Sequence, residues 1–327
     1  MKALALFSGG LDSMLAIKLL RLQNIEVIAL HIDIGFNSKK DQLISLEQRA
    51  NLAGAPLEII DVRDTYVQEI LFSPKYGYGK QFNPCIDCHG FMFKVAKALL
   101  AKYDAQFIVT GEVIGQRPMS QKRDGLMLVK RLAEDEEDDL IVRPLCARIL
   151  NETKPEKEGW IDRTKLLGLN GRGRSEQLRL AKEYGWEDYP SPAGGCLLTD
   201  VQFAQRMRDF IAYDTFALED VDVLKNGRHF RLPHGAKLVI GRDQRENDFL
   251  DGLKNDKFNL LHVNEDMNAP SSLLSKNATD EDINEACKII LTFTKASPKC
   301  YYKMLIANRQ IIASPYANRD DAKVFLI

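Results

Sequence analysis

Near its start the chain passes from four apolar residues, Ala3-Leu4-Ala5-Leu6, through Phe7-Ser8-Gly9-Gly10-Leu11-Asp12-Ser13-Met14 into Leu15-Ala16-Ile17-Lys18-Leu19-Leu20. The first run reads as a buried strand, the second as a helix, and the two glycines as the tight turn between them. Glycine at such a corner lets backbone N–H groups close around an anion, and the helix N-terminus adds positive potential. Ser8 and Ser13 bring hydroxyl donors, and Asp12 can orient a metal ion or a cationic group. The pattern points to a pyrophosphate site at Ser8, Gly9, Gly10, Asp12 and Ser13. A strand–turn–helix corner of small residues is the plainer alternative.

Further strands are expected at 26–34, 57–62, 106–110 and 141–145, with helices over 41–53 and 91–100 between them. Near-continuous apolar strands separated by helices predict an α/β fold, a parallel sheet with helices on both faces. Ligands of such sheets bind beyond the C-terminal strand ends. His31, Thr110 and Gly111 fall at those ends and are candidates to line a nucleoside pocket; His31 reads equally well as a buried, hydrogen-bonded strand histidine. Pro118 breaks any helix over 113–121, which is expected to be an ordered loop facing the same crevice. The acidic run 133–139 reads as a solvated loop. Arg172 and Arg174, just before a helix beginning at Ser175, suit either RNA phosphate or an ordinary helix start.

At 327 residues the chain is expected to form two or three domains. Its 45% apolar and 28% charged residues match a globular protein, and a net charge of -1 carries no whole-chain nucleic-acid signature. No leader-like start and no run of eighteen apolar residues occur, so a cytoplasmic protein that does not span a membrane is expected. The pattern changes after about residue 212, where strand-like pieces at 228–232, 237–241 and 301–307 and a helix over 280–291 suggest a small α+β domain. Thr279 and Asp282 give that helix a partial capping signal. The expected division is 1–150 for nucleotide binding, 151–212 for a cysteine-bearing extension, and 213–327 for the small domain.

Six cysteines are too few for a disulfide scaffold. Cys146, Cys287 and Cys300 read as buried small residues. Cys85 and Cys88 form a Cys-x-x-Cys pair, and Cys196 lies in a separate segment, Ser191-Pro-Ala-Gly-Gly-Cys196-Leu-Leu-Thr-Asp200. Adding His89 would make a four-ligand zinc set, yet His89 adjoins Cys88 and reaches the same ion with difficulty. Three sulfurs alone leave one position open, which suits an iron–sulfur cluster able to bind an external sulfide.

The glycine-serine loop resembles the pyrophosphate-binding loop of the ATP-pyrophosphatase (PP-loop) superfamily, and lacks the Gly-Lys-Ser/Thr of the common P-loop. The resemblance implies an adenine nucleotide alpha hydrolase-like fold, with ATP and Mg2+ used to adenylate an acceptor. Asn83-Pro84-Cys85-Ile86-Asp87-Cys88 resembles the first catalytic segment of bacterial 2-thiouridylases, with Cys88 at the catalytic position; Cys85 stands where those enzymes generally carry an acidic residue. Thr110-Gly111-Glu112, Gly115-Gln116, Ser120-Gln121 and Arg143-Pro144-Leu145 look like segments of 4-thiouridine synthetases, and Cys196 stands where such sulfurtransferases carry a second essential cysteine. Residues 228–248 faintly resemble an RNA-binding module of ribosome-associated quality-control factors.

Taken together, these resemblances imply ATP-dependent thiolation of a tRNA uridine at O2 or O4. Asp12, Cys88 and Cys196 would be catalytic, and Cys85, Cys88 and Cys196 would hold a [4Fe-4S] cluster. The implied partners are tRNA and a sulfur donor, either sulfide or a persulfide carrier. A persulfide on one cysteine, resolved by a second, is the alternative sulfur route. Two other functions stay open: a small-molecule ligase or amidotransferase, for which no glutaminase signature is visible, and a non-enzymatic RNA-binding protein.

Overall fold

The computed structural model describes residues 1–36, 42–190, 195–263, 267–307 and 309–327. The chain forms two compact units, Met1–Asp200 and Val201–Ile327. The extension expected over 151–212 is therefore divided: residues to Asp200 pack into the first unit, and those from Val201 open the second.

In the first unit the order is β1 (Lys2–Leu6), α1 (Leu11–Arg21), β2 (Glu26–Asp33), α2 (Gln42–Ala53), β3 (Leu57–Asp61), α3 (Arg63–Tyr66), α4 (Cys85–Ala98), β4 (Phe107–Thr110), α5 (Arg123–Leu132), β5 (Ile141–Val142), α6 (Lys154–Lys157) and α7 (Ser175–Glu183). Among the described residues the strands form one parallel sheet in the order β3-β2-β1-β4-β5. β1 is central, and its Ala3, Leu4 and Ala5 are buried on both faces, as an apolar run in a covered parallel sheet requires. The chain winds outward from β1 to β3 and then crosses to β4 on the other side. The topological switch point thus lies between β1 and β4, where Leu6 pairs with Thr110. The loops after these two strands meet there.

The structure differs from sequence expectation in two local respects. Helix α4 begins at Cys85, six residues before the expected start, so the Cys-x-x-Cys pair occupies its first turn. Within the acidic run, Asp135 is fully buried and accepts hydrogen bonds from the Leu140 and Ile141 amides at 2.9 and 3.2 Å. It clips the turn that leads into β5. Asp41, expected in α2, lies outside the described residues.

The second unit holds α8 (Val201–Tyr213), α9 (Asp220–Lys225), β6 (Arg228–Arg231), β7 (Lys237–Ile240), α10 (Gln244–Gly252), β8 (Phe258–Val263), β9 (Ser272–Ser275), α11 (Asp280–Thr292), β10 (Tyr302–Ile306), β11 (Arg309–Ala313) and α12 (Arg319–Lys323). Among the described residues its strands make an antiparallel sheet in the order β11-β10-β8-β9-β7-β6. The buried face of α11 (Ile283, Ala286, Cys287, Ile290) packs on that sheet. Thr279 caps α11 by accepting from the Asp282 amide at 3.1 Å. Asp282, itself buried, accepts from the His234 and Ala236 amides at 3.0 Å each and so pins the turn before β7. Asp209 of α8 binds Lys237 at 2.7 Å and Arg231 at 2.6 Å, tying that helix to the sheet. No helix among the described residues is long and apolar enough to cross a membrane.

Candidate functional site

The loop between β1 and α1 is built for close approach. Gly9 has φ +72°, and a Cβ there would lie 2.5 Å from Leu46 Cδ2. Gly10 precedes α1 in extended conformation, and no side chain caps the helix. Its first amides are therefore left for another acceptor. Buried Ser13 donates its hydroxyl to the Gly10 carbonyl at 2.7 Å, while Ser8 remains exposed.

Asp12 is held from across the switch point. Gln116 donates its Nε2 to Asp12 Oδ2 at 2.9 Å. The other oxygen of each side chain, Asp12 Oδ1 and Gln116 Oε1, is buried without a hydrogen-bond partner. Buried acceptor oxygens with no donor, on two side chains that bond one another, are suited to a hard cation, which takes oxygen ligands. Gly111, at the end of β4, sits directly on this helix start. A Cβ there would be 2.5 Å from both Asp12 C and Ser13 N. Thr110 is buried, and its hydroxyl accepts from the Glu112 amide at 3.3 Å.

His31 is buried and its Nδ1–H donates to the Phe7 carbonyl at 2.9 Å. This is the hydrogen-bonded strand histidine of the structural alternative; it braces the residue that opens the loop, and only Nε2 is left for a ligand. Arg49 of α2 is a neighbour that sequence reasoning missed. One of its guanidinium nitrogens lies 3.8 Å from where a Gly9 Cβ would sit, and its Nε is buried without a partner. Gly171 N–H bonds the Ile114 carbonyl at 2.8 Å, which sets the Arg172–Arg174 segment beside the 113–121 loop.

The cysteines assemble at the same C-terminal edge of the sheet. Cys85 and Cys88 lie one turn apart on α4, hence on one face. The segment after Cys196 is sewn to this region twice, by Leu197 N–H to the Phe36 carbonyl at 3.1 Å and by Phe82 N–H to the Leu198 carbonyl at 3.1 Å. Burial pushes the Cys88 thiol up strongly, and the neighbouring Cys196 and Cys85 sulfurs raise it further. Burial likewise raises Cys196. Asn83 Nδ2 donates to Cys85 Sγ at 3.0 Å. Residues 191–194, part of the segment that carries the Cys196 resemblance, lie outside the described residues.

Cys146 is buried and its thiol, pushed up to about 11 by burial, donates to the Glu112 carbonyl at 3.4 Å. Cys287 is buried in the second unit. Cys300, expected to be a buried small residue, is exposed. It follows the turn ahead of β10.

No group of three or more His, Cys, Asp or Glu side chains among the described residues converges as a single metal ion requires. A zinc ion would draw its sulfurs to about 2.3 Å from one centre. An iron–sulfur cluster spreads its ligands over separate irons, so three thiols gathered in one place suit it without converging on a point. The donor type and the half-buried setting of Cys85, Cys88 and Cys196 fit such a group.

A second cluster joins this helix to β4. Glu112 is buried and bridges His89 Nδ1 at 2.8 Å and Arg143 Nε at 3.0 Å. Burial alone would raise its carboxyl, but Arg143 and His89 together more than offset this and hold it below the usual glutamate value. Glu112 was visible in the sequence only as part of Thr110-Gly111-Glu112; nothing there linked it to His89 or Arg143.

Comparison with known proteins agrees with this architecture. The family model "Arginosuccinate synthase N-terminal HUP domain" matches residues 2–77, and "NFACT protein RNA binding domain" matches residues 227–314. The chain is 30% identical over 168 residues to a probable tRNA sulfurtransferase of Thermococcus kodakarensis, covering 51% of this chain and 41% of that one. It is 33% identical over 131 residues to the tRNA-specific 2-thiouridylase MnmA of Petrotoga mobilis, covering 35% of each. A solved 4-thiouridine synthetase–RNA complex with bound ATP aligns at a TM-score of 0.40 and 19% identity, covering 68% of this chain and 52% of that one. The chain thus spans less than half the length of these two curated relatives. Sheet order and loop accord with the HUP match, which likens the start of the first unit to that domain. The curated proteins it is similar to include a probable tRNA sulfurtransferase and tRNA-specific 2-thiouridylases, in line with the sequence resemblance.

Proposed function

We propose that this chain replaces a uridine carbonyl oxygen in tRNA with sulfur, at the expense of ATP. The observation that carries the reading is the gathering of Cys85, Cys88 and Cys196 at the sheet edge that also bears the glycine loop. Adenylating enzymes in general need such a loop; sulfur-handling residues beside it narrow the acceptor chemistry.

Ser8, Gly9, Gly10 and Ser13, with the free amides of α1, would hold the ATP pyrophosphate, and Arg49 adds a cation next to Gly9. Thr110, Gly111 and His31 Nε2 would border the nucleoside. Asp12 Oδ1 and Gln116 Oε1 are the oxygens suited to Mg2+, which when bound neutralises charge on the departing pyrophosphate. The uridine oxygen attacks the α-phosphate and pyrophosphate leaves. A sulfur nucleophile then adds to the activated ring carbon, and AMP departs with the original oxygen. Reaching the base requires an unstacked uridine, which costs a few kcal/mol.

Cys85, Cys88 and Cys196 would hold a [4Fe-4S] cluster, which supplies a binding place for sulfide. The persulfide route also has an observation in its favour: Cys85 opens α4, and its sulfur accepts a hydrogen bond from the Asn83 amide at 3.0 Å. The second unit, through the region similar to an RNA-binding domain, would bind the tRNA. The test is pyrophosphate release from ATP with and without unmodified bulk tRNA. Release that requires tRNA is expected. Release with a small acid or amine and no tRNA would favour a small-molecule ligase, and no release under any condition would favour an RNA-binding protein without catalysis.

A further inference from the structure

Behind the cysteines stands an aromatic wall. Tyr66, at the end of α3, is fully buried and packs between Phe36 at 6.1 Å and Phe91 at 5.9 Å between ring centroids. Each neighbour belongs to a cysteine segment. Phe36 accepts the Leu197 amide next to Cys196, and Phe91 follows Cys88 by one turn on the same face of α4. The ring is therefore wedged where the two cysteine segments meet. Its hydroxyl is buried and has no well-formed hydrogen bond. Burial raises the Tyr66 phenol well above its ordinary value, and the Cys88, Cys196 and Cys85 sulfurs add to that rise. A buried phenol without a partner costs stability, and proteins rarely keep one unless something completes it.

We propose that Tyr66 is a positioning residue: its O–H donates to the anionic sulfur held at Cys88, whether a cluster thiolate or a persulfide. The proposal rests on the reading that sulfur is handled at Cys85, Cys88 and Cys196. Phe36 and Phe91 offer no polar atom, so Tyr66 is the donor this wall presents. A hydrogen bond to sulfur in dry surroundings stabilises negative charge there and tunes the reactivity or potential of whatever the sulfur binds.

The test uses the full chain and Tyr66→Phe, which keeps the ring and removes only the oxygen. In the metal-free chain, iodoacetamide labelling of each cysteine is followed by peptide mass spectrometry. Labelling passes through the Cys88 thiolate, so loss of the hydrogen bond that Tyr66 gives this anion should slow it about tenfold, with exposed Cys300 labelled equally in both proteins. Loaded anaerobically with iron and sulfide, the variant should keep the parent's iron content but show a more negative reduction potential. Unchanged or faster Cys88 labelling, with an unchanged potential, would overturn the proposal. A parent chain that never thiolates tRNA while the labelling contrast persists would sink the functional reading and leave the Tyr66 contact standing.

Discussion

Replacing Gly111 by alanine tests whether the end of β4 really seats the nucleotide loop. The new Cβ would lie 2.5 Å from Asp12 C and Ser13 N and 2.6 Å from Asp12 O. Ordinary contact begins near 3.4 Å, so the shortfall is about 1 Å, and all three neighbours are backbone atoms that cannot rotate aside. Gly111 does not adopt a positive φ, so alanine brings no dihedral penalty and the cost is purely steric. Overpacking of this kind costs about 1–3 kcal/mol, which for a unit of this size lowers Tm by roughly 2–10 °C. Relief requires moving the first turn of α1 away from β4, and the amides that would hold phosphate move with it. Losing one charge-assisted hydrogen bond, at about 1.5–3 kcal/mol, would weaken ATP by roughly 10- to 150-fold. Calorimetric titration with ATP and Mg2+, beside a thermal melt, measures both. Parent-like affinity at parent-like Tm would refute the packing argument and with it the placement of the loop.

Other outcomes are equally specific. Glu112→Gln leaves Arg143 buried without its anion and should cost about 3–5 kcal/mol in urea unfolding at pH 7. Because the folded Glu112 carboxyl is held below its ordinary value, its stabilisation is present above about pH 4.5 and lost as pH falls through the folded value. The variant should show less of that acid loss than the parent. Lys237, fully buried beside Asp209, is pushed down to about 8 by burial, so the unfolded chain binds more protons between there and its ordinary value of 10.5. Stability of the second unit should therefore rise with pH across that window, and Lys237→Met should flatten the rise in a pH series of melts. Cys85→Ser, Cys88→Ser and Cys196→Ser should each lower iron content after anaerobic loading, whereas Cys300→Ser should not; equal iron in all four would remove the cluster assignment.

The parallel sheet was legible because buried strands write themselves as apolar runs, and the turn after β1 because glycines at a strand end mark a tight corner. The second sheet was only partly so. β8 and β9 carry Asn259, His262, Ser272 and Ser275 among their apolar residues, and a mixed pattern of this kind signals a strand weakly. The start of α4 was misjudged since Pro84 and the two cysteines read as a motif rather than as a first helical turn. The polar partnerships were out of reach. Glu112 with His89 spans 23 residues and with Arg143 spans 31, and the Tyr66 contact depends on how α3 packs against α4. Burial made Asp135 a backbone clip inside what composition alone marks as a solvated run.

The central claim is that the loop and the three cysteines serve one reaction on tRNA. The direct measurement is nucleoside mass spectrometry of unmodified tRNA after anaerobic incubation with the iron-loaded chain, ATP, Mg2+ and sulfide. The expected product is a uridine in which one oxygen has been replaced by sulfur, formed only with ATP and lost in Cys88→Ser. Unaltered tRNA, while the same preparation cleaves ATP to AMP and pyrophosphate, would contradict it.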